Sequence, residues 1–90
     1  MPKVTSIVLD VLKPHEPNIL DFANQIANLG DDYQVKVNVE EIDDNTHSVV
    51  VEVTGKNLDY TAIVKCVETM GGSVHSLDGV EVINVPTEHS

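Results

Sequence analysis

The most constraining feature of the sequence is the stretch from residue 7 to residue 17, where an apolar strand runs directly into a loop closed by two prolines. Residues 7–12 read Ile-Val-Leu-Asp-Val-Leu, and residues 13–17 read Lys-Pro-His-Glu-Pro. Each proline fixes its own φ and restricts the residue before it, so the loop is rigid. Because both faces of the strand are largely apolar, we expect it in the middle of a sheet whose second face is at least partly covered.

Two amphipathic helices are predicted by apolar residues that recur at spacings of three and four. Residues 19–29 carry the first apolar stripe, behind Asn18 as the capping residue. Residues 63–70 carry the second stripe, with a cap near Asn57 or Asp59. Each stripe must pack on a sheet.

Three further strands are predicted by alternation of apolar and polar residues. Residues 33–39 alternate, residues 43–45 form a turn, and residues 49–53 resume the alternation, which predicts a hairpin. Residues 73–85 contain the last strand. The Asp-Gly step at residues 78 and 79 is either a tight hairpin turn or a bulge within one long strand.

The element order strand, helix, strand, strand, helix, strand predicts an α+β fold of the ferredoxin-like βαββαβ type. Its four-stranded antiparallel sheet has the order 4-1-3-2 and carries both helices on one face. We expect residues 1–90 to form a single domain, with residues 86–90 as a loose polar tail. The fold hosts unrelated functions and does not itself indicate an activity.

Charge and composition exclude several partners. The chain has 15 Asp and Glu against 5 Lys and Arg, for a net charge of -10, so a nucleic-acid partner is not expected. No apolar run is long enough to cross a membrane, the N-terminus does not have the pattern of a signal peptide, and the single Cys66 excludes an internal disulfide. These features predict a cytoplasmic location without membrane association.

Three segments resemble one known family: residues 7–17, the Asn-Leu-Asp-Tyr run at residues 57–60, and the Met-Gly-Gly-Ser-Val-His-Ser run at residues 70–76. The sequence is similar over nearly its whole length to the archaeal proteins grouped as domain of unknown function 211. The resemblance implies an archaeal source, a ferredoxin-like subunit and ring-like homo-oligomers. It implies no established activity.

The ligand-binding candidates converge at one end of the predicted sheet. In this fold the loop after the first strand, the turn of the hairpin and the loop before the last strand lie at the same end, and three of the four histidines belong to these segments. The candidate ligand-binding residues are Lys13, His15, Glu16, His47 and His75.

Acidic residues give a second set of candidates, for calcium or magnesium. Hard cations are bound by several oxygens, and the hairpin turn is rich in carboxylates, although it lacks the regular spacing of an EF-hand loop. An ordinary solvated turn is the alternative, and Asp10 in its apolar strand is alternatively an interface or surface acid. The candidate metal-binding residues are Asp10, Glu41, Asp43, Asp44 and Asp78.

Enzyme classes that use this fold are poorly matched. The chain has no Arg to hold a phosphate, no paired cysteines for copper, and no aromatic residues on the central strands to stack RNA bases. The sequence therefore predicts a non-catalytic, homo-oligomeric binding or regulatory module for an unknown small ligand. A divalent-cation-binding protein is the alternative, and an enzyme using His15 and Glu16 as an acid-base pair is a weaker one.

Self-association is also predicted from the outer face of the sheet, which points away from the helices. Strand parity places Val4, Val8, Leu12 and Val50 on that face. An apolar patch of this size is unusual on a monomer.

Overall fold

The computed structural model describes residues 1–86, in which four strands form one antiparallel sheet of order β2-β3-β1-β4. Both helices pack against the same face of this sheet. The predicted ferredoxin-like α+β fold is confirmed. The elements are β1 (Pro2–Pro14), α1 (Ile19–Ala27), β2 (Gln34–Ile42), β3 (Thr46–Thr54), α2 (Tyr60–Thr69) and β4 (Ser73–Asn84).

The core lies between the helices and the inner faces of the two central strands. Alternate residues of β1 point inward and lie opposite alternate valines of β3, as in the pair Leu9 and Val51. Each helix adds two buried side chains from its apolar stripe. Residues spaced by three and four lie on the same side of a helix, so the stripe faces the sheet. The fully buried apolar residues are Ile7, Leu9, Val11, Phe22, Ile26, Val49, Val51, Val53, Ile63 and Val67.

Side-chain caps fix where both helices begin. The Asn18 side chain accepts a hydrogen bond from the Asp21 amide at 2.9 Å, and the Asp59 carboxylate accepts one from the Ala62 amide at 3.1 Å. Of the two caps open for α2, the structure uses Asp59. Gly71 ends α2 with a φ of 86°, in the left-handed region that favours glycine.

The Asp-Gly step is a bulge, since β4 continues through it as one strand of 12 residues. Gly79 lies opposite Val8 and Leu77 lies opposite Leu9, which leaves Asp78 as the extra residue. A second irregularity at His75 falls between the pairs of Ser76 with Asp10 and of Val74 with Val11.

The first residues of β1 depart from simple parity. The pairing of β1 with β4 shifts between Val4 and Ser6, and Val4 packs against the buried core. The prediction that Val4 joins the outer patch was therefore wrong, because the irregularity at Thr5 reverses the alternation. Val8, Leu12 and Val50 keep their places on the outer face.

Tyr33, which was expected in β2, precedes that strand, and its hydroxyl accepts a hydrogen bond from the Asp59 amide at 2.8 Å. Of the predicted loose tail only Pro86 is described, and residues 87–90 lie outside the described residues. Within the described part of the chain, neither helix has the length and apolar character needed to cross a membrane.

Candidate functional site

Lys13 is a buried residue of β1, whereas the sequence placed it in the exposed loop with His15 and Glu16. Its side chain is 0% exposed and lies on the inner face, opposite His47 of β3. The ammonium donates hydrogen bonds to the carbonyl oxygens of Pro14, at 2.7 Å, and Pro17, and Nζ lies 5.4 Å from the centroid of the Phe22 ring. Lys13 thus holds the loop from inside and is not available to a ligand at the surface.

Burial disfavours the charged form of Lys13. It lowers the pKa of the ammonium, while the nearby Glu16 carboxylate opposes that shift. The two carbonyl acceptors and the aromatic ring compensate part of the cost of removing the charge from water. Through its contacts with the Pro17 carbonyl and the Phe22 ring, Lys13 links the end of β1 to the start of α1.

His15 and His47 form a hydrogen-bonded pair at the same end of the molecule. Nδ1 of His15 lies 2.7 Å from Nε2 of His47, and the two rings meet nearly edge to face, with centroids 4.5 Å apart. Nε2 of His15 donates to the backbone carbonyl of Asp44, at 2.8 Å, in the turn between β2 and β3. The pair therefore joins the proline loop to the hairpin turn.

His47 is the more enclosed member of the pair. Its Nδ1 is buried and has no hydrogen-bond partner among the described residues. Burial lowers the pKa of His47, and the neighbouring His15 and Lys13 lower it further. Both effects disfavour the positively charged form of this imidazole.

A separate hollow lies on the outer face of the sheet and has a volume of about 250 Å³. Its lining comes from all four strands and the hairpin turn, and it contains three carboxylates and one imidazole. No lysine contributes to the lining, so the hollow has negative potential and suits a cationic group. The lining residues are Asp10, Leu12, Glu41, Asp43, Ser48 and His75.

The predicted candidates thus reach the same end of the sheet but divide between its two faces. Lys13, His15 and His47 lie on the helix side, whereas Asp10 and Glu41 lie on the outer side with Asp43 and His75. Strand parity explains most of this division, because side chains of adjacent residues point to opposite faces. The shift in pairing between Val39 and Glu41 sets the outer face for Glu41, which lies opposite Ser48.

Three further candidates lie outside the hollow. Glu16 is in the proline loop and acts electrostatically on Lys13. Asp44 contributes its backbone carbonyl to His15, and Asp78 accepts a hydrogen bond from the Ser76 hydroxyl at 2.7 Å in the bulge of β4. Within residues 1–86, no three histidine, cysteine, aspartate or glutamate side chains are grouped closely enough to hold one metal ion.

Sequence reasoning missed three features of this end of the molecule. Leu12 and Ser48 were not considered as site residues, although parity places them on the same face as Asp10. The inward position of Lys13 also follows from parity with Ile7, Leu9 and Val11. The contact between His15 and His47 has no sequence signal, because it depends on how far the hairpin turn reaches over the loop.

The fold and its open acidic face define an α+β protein of ferredoxin-like architecture with a candidate binding hollow on the uncovered side of the sheet. Residues 5–86 match DUF211, the family described as uncharacterized ArCR. The chain belongs to this family.

One relative is similar over most of the chain. It is the uncharacterized protein MJ0319 of the archaeon Methanocaldococcus jannaschii, which is 44% identical over 80 residues. The alignment covers 89% of this chain and 82% of that protein. The family resemblance seen in the sequence is therefore confirmed.

Proposed function

We propose that the protein is a non-catalytic, homo-oligomeric binding or regulatory module that takes a small ligand on the outer face of its sheet. The observation that carries the proposal is β4, an edge strand of 12 residues with a row of exposed apolar side chains. Val80 is 55% exposed, Val82 is 51% exposed and Leu77 lies on the same face, whereas the exposed Ile83 points to the opposite face. Long apolar edge strands are templates for pairing with another chain, and proteins normally cover them.

The opposite edge of the sheet offers a partner for β4. β2 is the other edge strand, and Ile42 at its end is 67% exposed. Contact between the β4 edge of one subunit and the β2 edge of the next is heterologous, and such contacts close into rings when the rotation between subunits permits. A ring-like homo-oligomer is the assembly that this arrangement favours.

The size of the hollow supports a site that a neighbouring subunit completes. Pockets that enclose small molecules usually have volumes of about 300–1,000 Å³, whereas the hollow of one chain has about 250 Å³. A neighbouring subunit paired along the β2 or β4 edge adjoins the hollow, because Glu41 and His75 line it from the two edge strands, and such a neighbour can deepen the hollow and bury more of a ligand. The ligand-binding role therefore depends on assembly.

The hydrogen bonds of His15 support a non-catalytic role. Both of its ring nitrogens are engaged, one with His47 and one with the Asp44 carbonyl. A general base needs a free nitrogen within reach of the substrate proton, so an acid-base pair of His15 and Glu16 is not favoured.

The net charge of -10 argues against nucleic acid as a partner, and a free Cys66 suits a cytoplasmic location.

Native mass spectrometry and light scattering of the full chain test the assembly. We expect wild-type protein to be oligomeric at micromolar concentration and the Val80→Lys/Val82→Lys variant to have the mass of a single chain. Leu20→Lys is the matched control, since Leu20 is an exposed apolar residue of α1, 67% exposed, away from the sheet edge. A monomeric wild type, or an oligomer that both variants leave intact, would overturn the proposed interface.

Divalent-cation binding is the second candidate function. It is favoured by the carboxylates of Asp10, Glu41 and Asp43, which line the same hollow as the His75 imidazole. Calcium and magnesium prefer several such oxygens, and a neighbouring subunit would have to supply further ligands. Mass spectra recorded with and without a chelator show whether the assembly carries a bound ion.

A further inference from the structure

The tautomers of His15 and His47 are determined by their hydrogen bonds. A carbonyl oxygen only accepts, so Nε2 of His15 carries a proton and donates it to Asp44 at 2.8 Å. In the neutral ring, Nδ1 of His15 is then an acceptor. Nε2 of His47, 2.7 Å away, must be the donor in that contact, which leaves Nδ1 of His47 as a bare lone pair.

That lone pair lies in a buried position without a partner among residues 1–86. The neutral pair is consistent with this position, since a nitrogen lone pair without a partner costs less than a buried N–H group of a charged ring. Protonation of His47 places a charged N–H group there without an acceptor. Protonation of His15 instead forces His47 into its other tautomer, which buries the same unpartnered N–H.

The Lys13 ammonium on the paired strand opposes an added positive charge on His47, whereas the carboxylates of the loop and the turn favour one. The register partners of His47 are Lys13 on β1 and Ile42 on β2, and α1 contributes the uncharged Phe22 ring beside Lys13. One of these neighbours is cationic and the other two are apolar. The charged groups around the pair are the Lys13 ammonium of β1, the Glu16 carboxylate of the loop and Asp44 of the turn.

We infer that the His15–His47 pair is a pH-sensitive latch, which fastens the proline loop to the hairpin turn while both imidazoles are neutral and opens when the pair takes up a proton. The closed latch has three parts: the His47 donor, the His15 ring and the Asp44 carbonyl. Any charged form of the pair leaves a buried N–H without an acceptor, so the charged form is relieved by moving the turn away from the loop. This switch is independent of the proposed binding function.

The sign of the pH dependence follows from proton linkage. His47 has a lower pKa in the folded chain than its ordinary value of 6.5, so the folded state binds fewer protons than the unfolded state in the interval between the two values. The contribution of the latch is complete above pH 6.5 and falls as the pH drops toward the lower folded value. For uptake of one proton, the open fraction rises at most about tenfold for each pH unit.

Nuclear magnetic resonance of the ¹⁵N-labelled full chain tests the latch, over the range from about pH 8 to about pH 5 in which histidine ordinarily titrates. At the upper end we expect both imidazoles as the neutral Nε2–H tautomer. As the pH falls, the amide signals of His15, Glu16 and residues 44–46 should shift together with the titration of His47. Independent titration of both rings with unchanged turn amides would overturn the inference.

Two variants separate the latch from general acid sensitivity. His47→Gln keeps an amide donor near the Nε2 position but cannot titrate, so the shift of the turn amides with pH should be lost. Glu68→Gln removes an exposed carboxylate of α2 that does not line the hollow and should leave the wild-type profile unchanged. If His47→Gln shows the wild-type profile, another group controls the turn and the latch is excluded.

Discussion

At the scale of single residues, Lys13 shows how a charged side chain can serve a structural purpose inside a small core. Its ammonium hydrogen bonds to the carbonyl oxygens of Pro14 and Pro17 and lies against the Phe22 ring. Burial opposes the charge, as the lowered pKa shows. The balance between these effects decides whether Lys13 stabilises the fold.

Replacement of Lys13 by Met measures that balance, since Met has a similar length and no charge. We expect Lys13→Met to lower the free energy of unfolding by about 1–2 kcal/mol, because two partly buried carbonyl oxygens lose their donor. Urea denaturation measures the change, with Lys36→Met at an exposed position of β2 as the control, expected within about 0.5 kcal/mol of wild type. An unchanged or more stable Lys13→Met variant would show that the desolvation cost of the charge dominates.

Gly71 gives a second prediction at this scale. Its φ of 86° strains any side chain, and a Cβ there would lie 3.2 Å from Cγ of Pro14. We expect Gly71→Ala to destabilise the protein by about 1–2 kcal/mol and Gly71→Asn to cost less, since asparagine tolerates the left-handed region better. Thermal unfolding compares the two variants, and equal losses would assign the effect to the contact with Pro14 rather than to φ.

At the scale of elements, the cap of α2 can be tested by mutation, because the sequence offered two candidate capping residues. Asn57 and Asp59 were both possible caps of α2, and only Asp59 accepts the amide of Ala62 in the structure. Asp59→Ala should lower the free energy of unfolding by about 1 kcal/mol, as the loss of a capping side chain usually does. Asn57→Ala is the control, and its free energy of unfolding should remain within about 0.5 kcal/mol of the wild-type value. A larger loss for Asn57→Ala than for Asp59→Ala would show that Asn57, and not Asp59, caps α2.

At the scale of the whole molecule, the net charge of -10 opposes assembly. Bringing subunits together concentrates like charge, which salt screens without regard to the identity of the ion, whereas a bound ion stabilises by mass action. We expect calcium at millimolar concentration to raise the melting temperature more than sodium chloride of equal ionic strength. Equal increases with both salts would remove the cation-binding candidate.

Variants that remove equal charge locate the effect of calcium. Asp10→Asn/Asp43→Asn removes two carboxylates of the hollow, and Asp31→Asn/Glu68→Gln removes two exposed carboxylates elsewhere. Only the first pair should abolish the difference between calcium and sodium chloride. If both pairs abolish it equally, the ion acts on the net charge and not at the hollow.

Local sequence determined the elements of this protein and their order. Periods of three to four and of two identified both helices and all four strands, because each element must bury one stripe or face. From Ile7 onward, parity along β1 indicates which side chains enter the core, and it extends to Lys13, which the sequence analysis had instead assigned to the loop. Exposure of the apolar row on β4 could not be read in this way, since it depends on how far two short helices extend over a long sheet.

Only the tertiary structure determined the strand irregularities and the side-chain contacts at the end of the sheet. The bulge at Asp78 and the shift at Thr5 are set by pairing with a distant strand, and each reverses an alternation that the sequence would otherwise continue. His15 and His47 meet only because β1 and β3 pair in one register, which places the turn over the loop. Contacts of this kind depend on strand register, a property of two segments together, and no local pattern in either segment determines them.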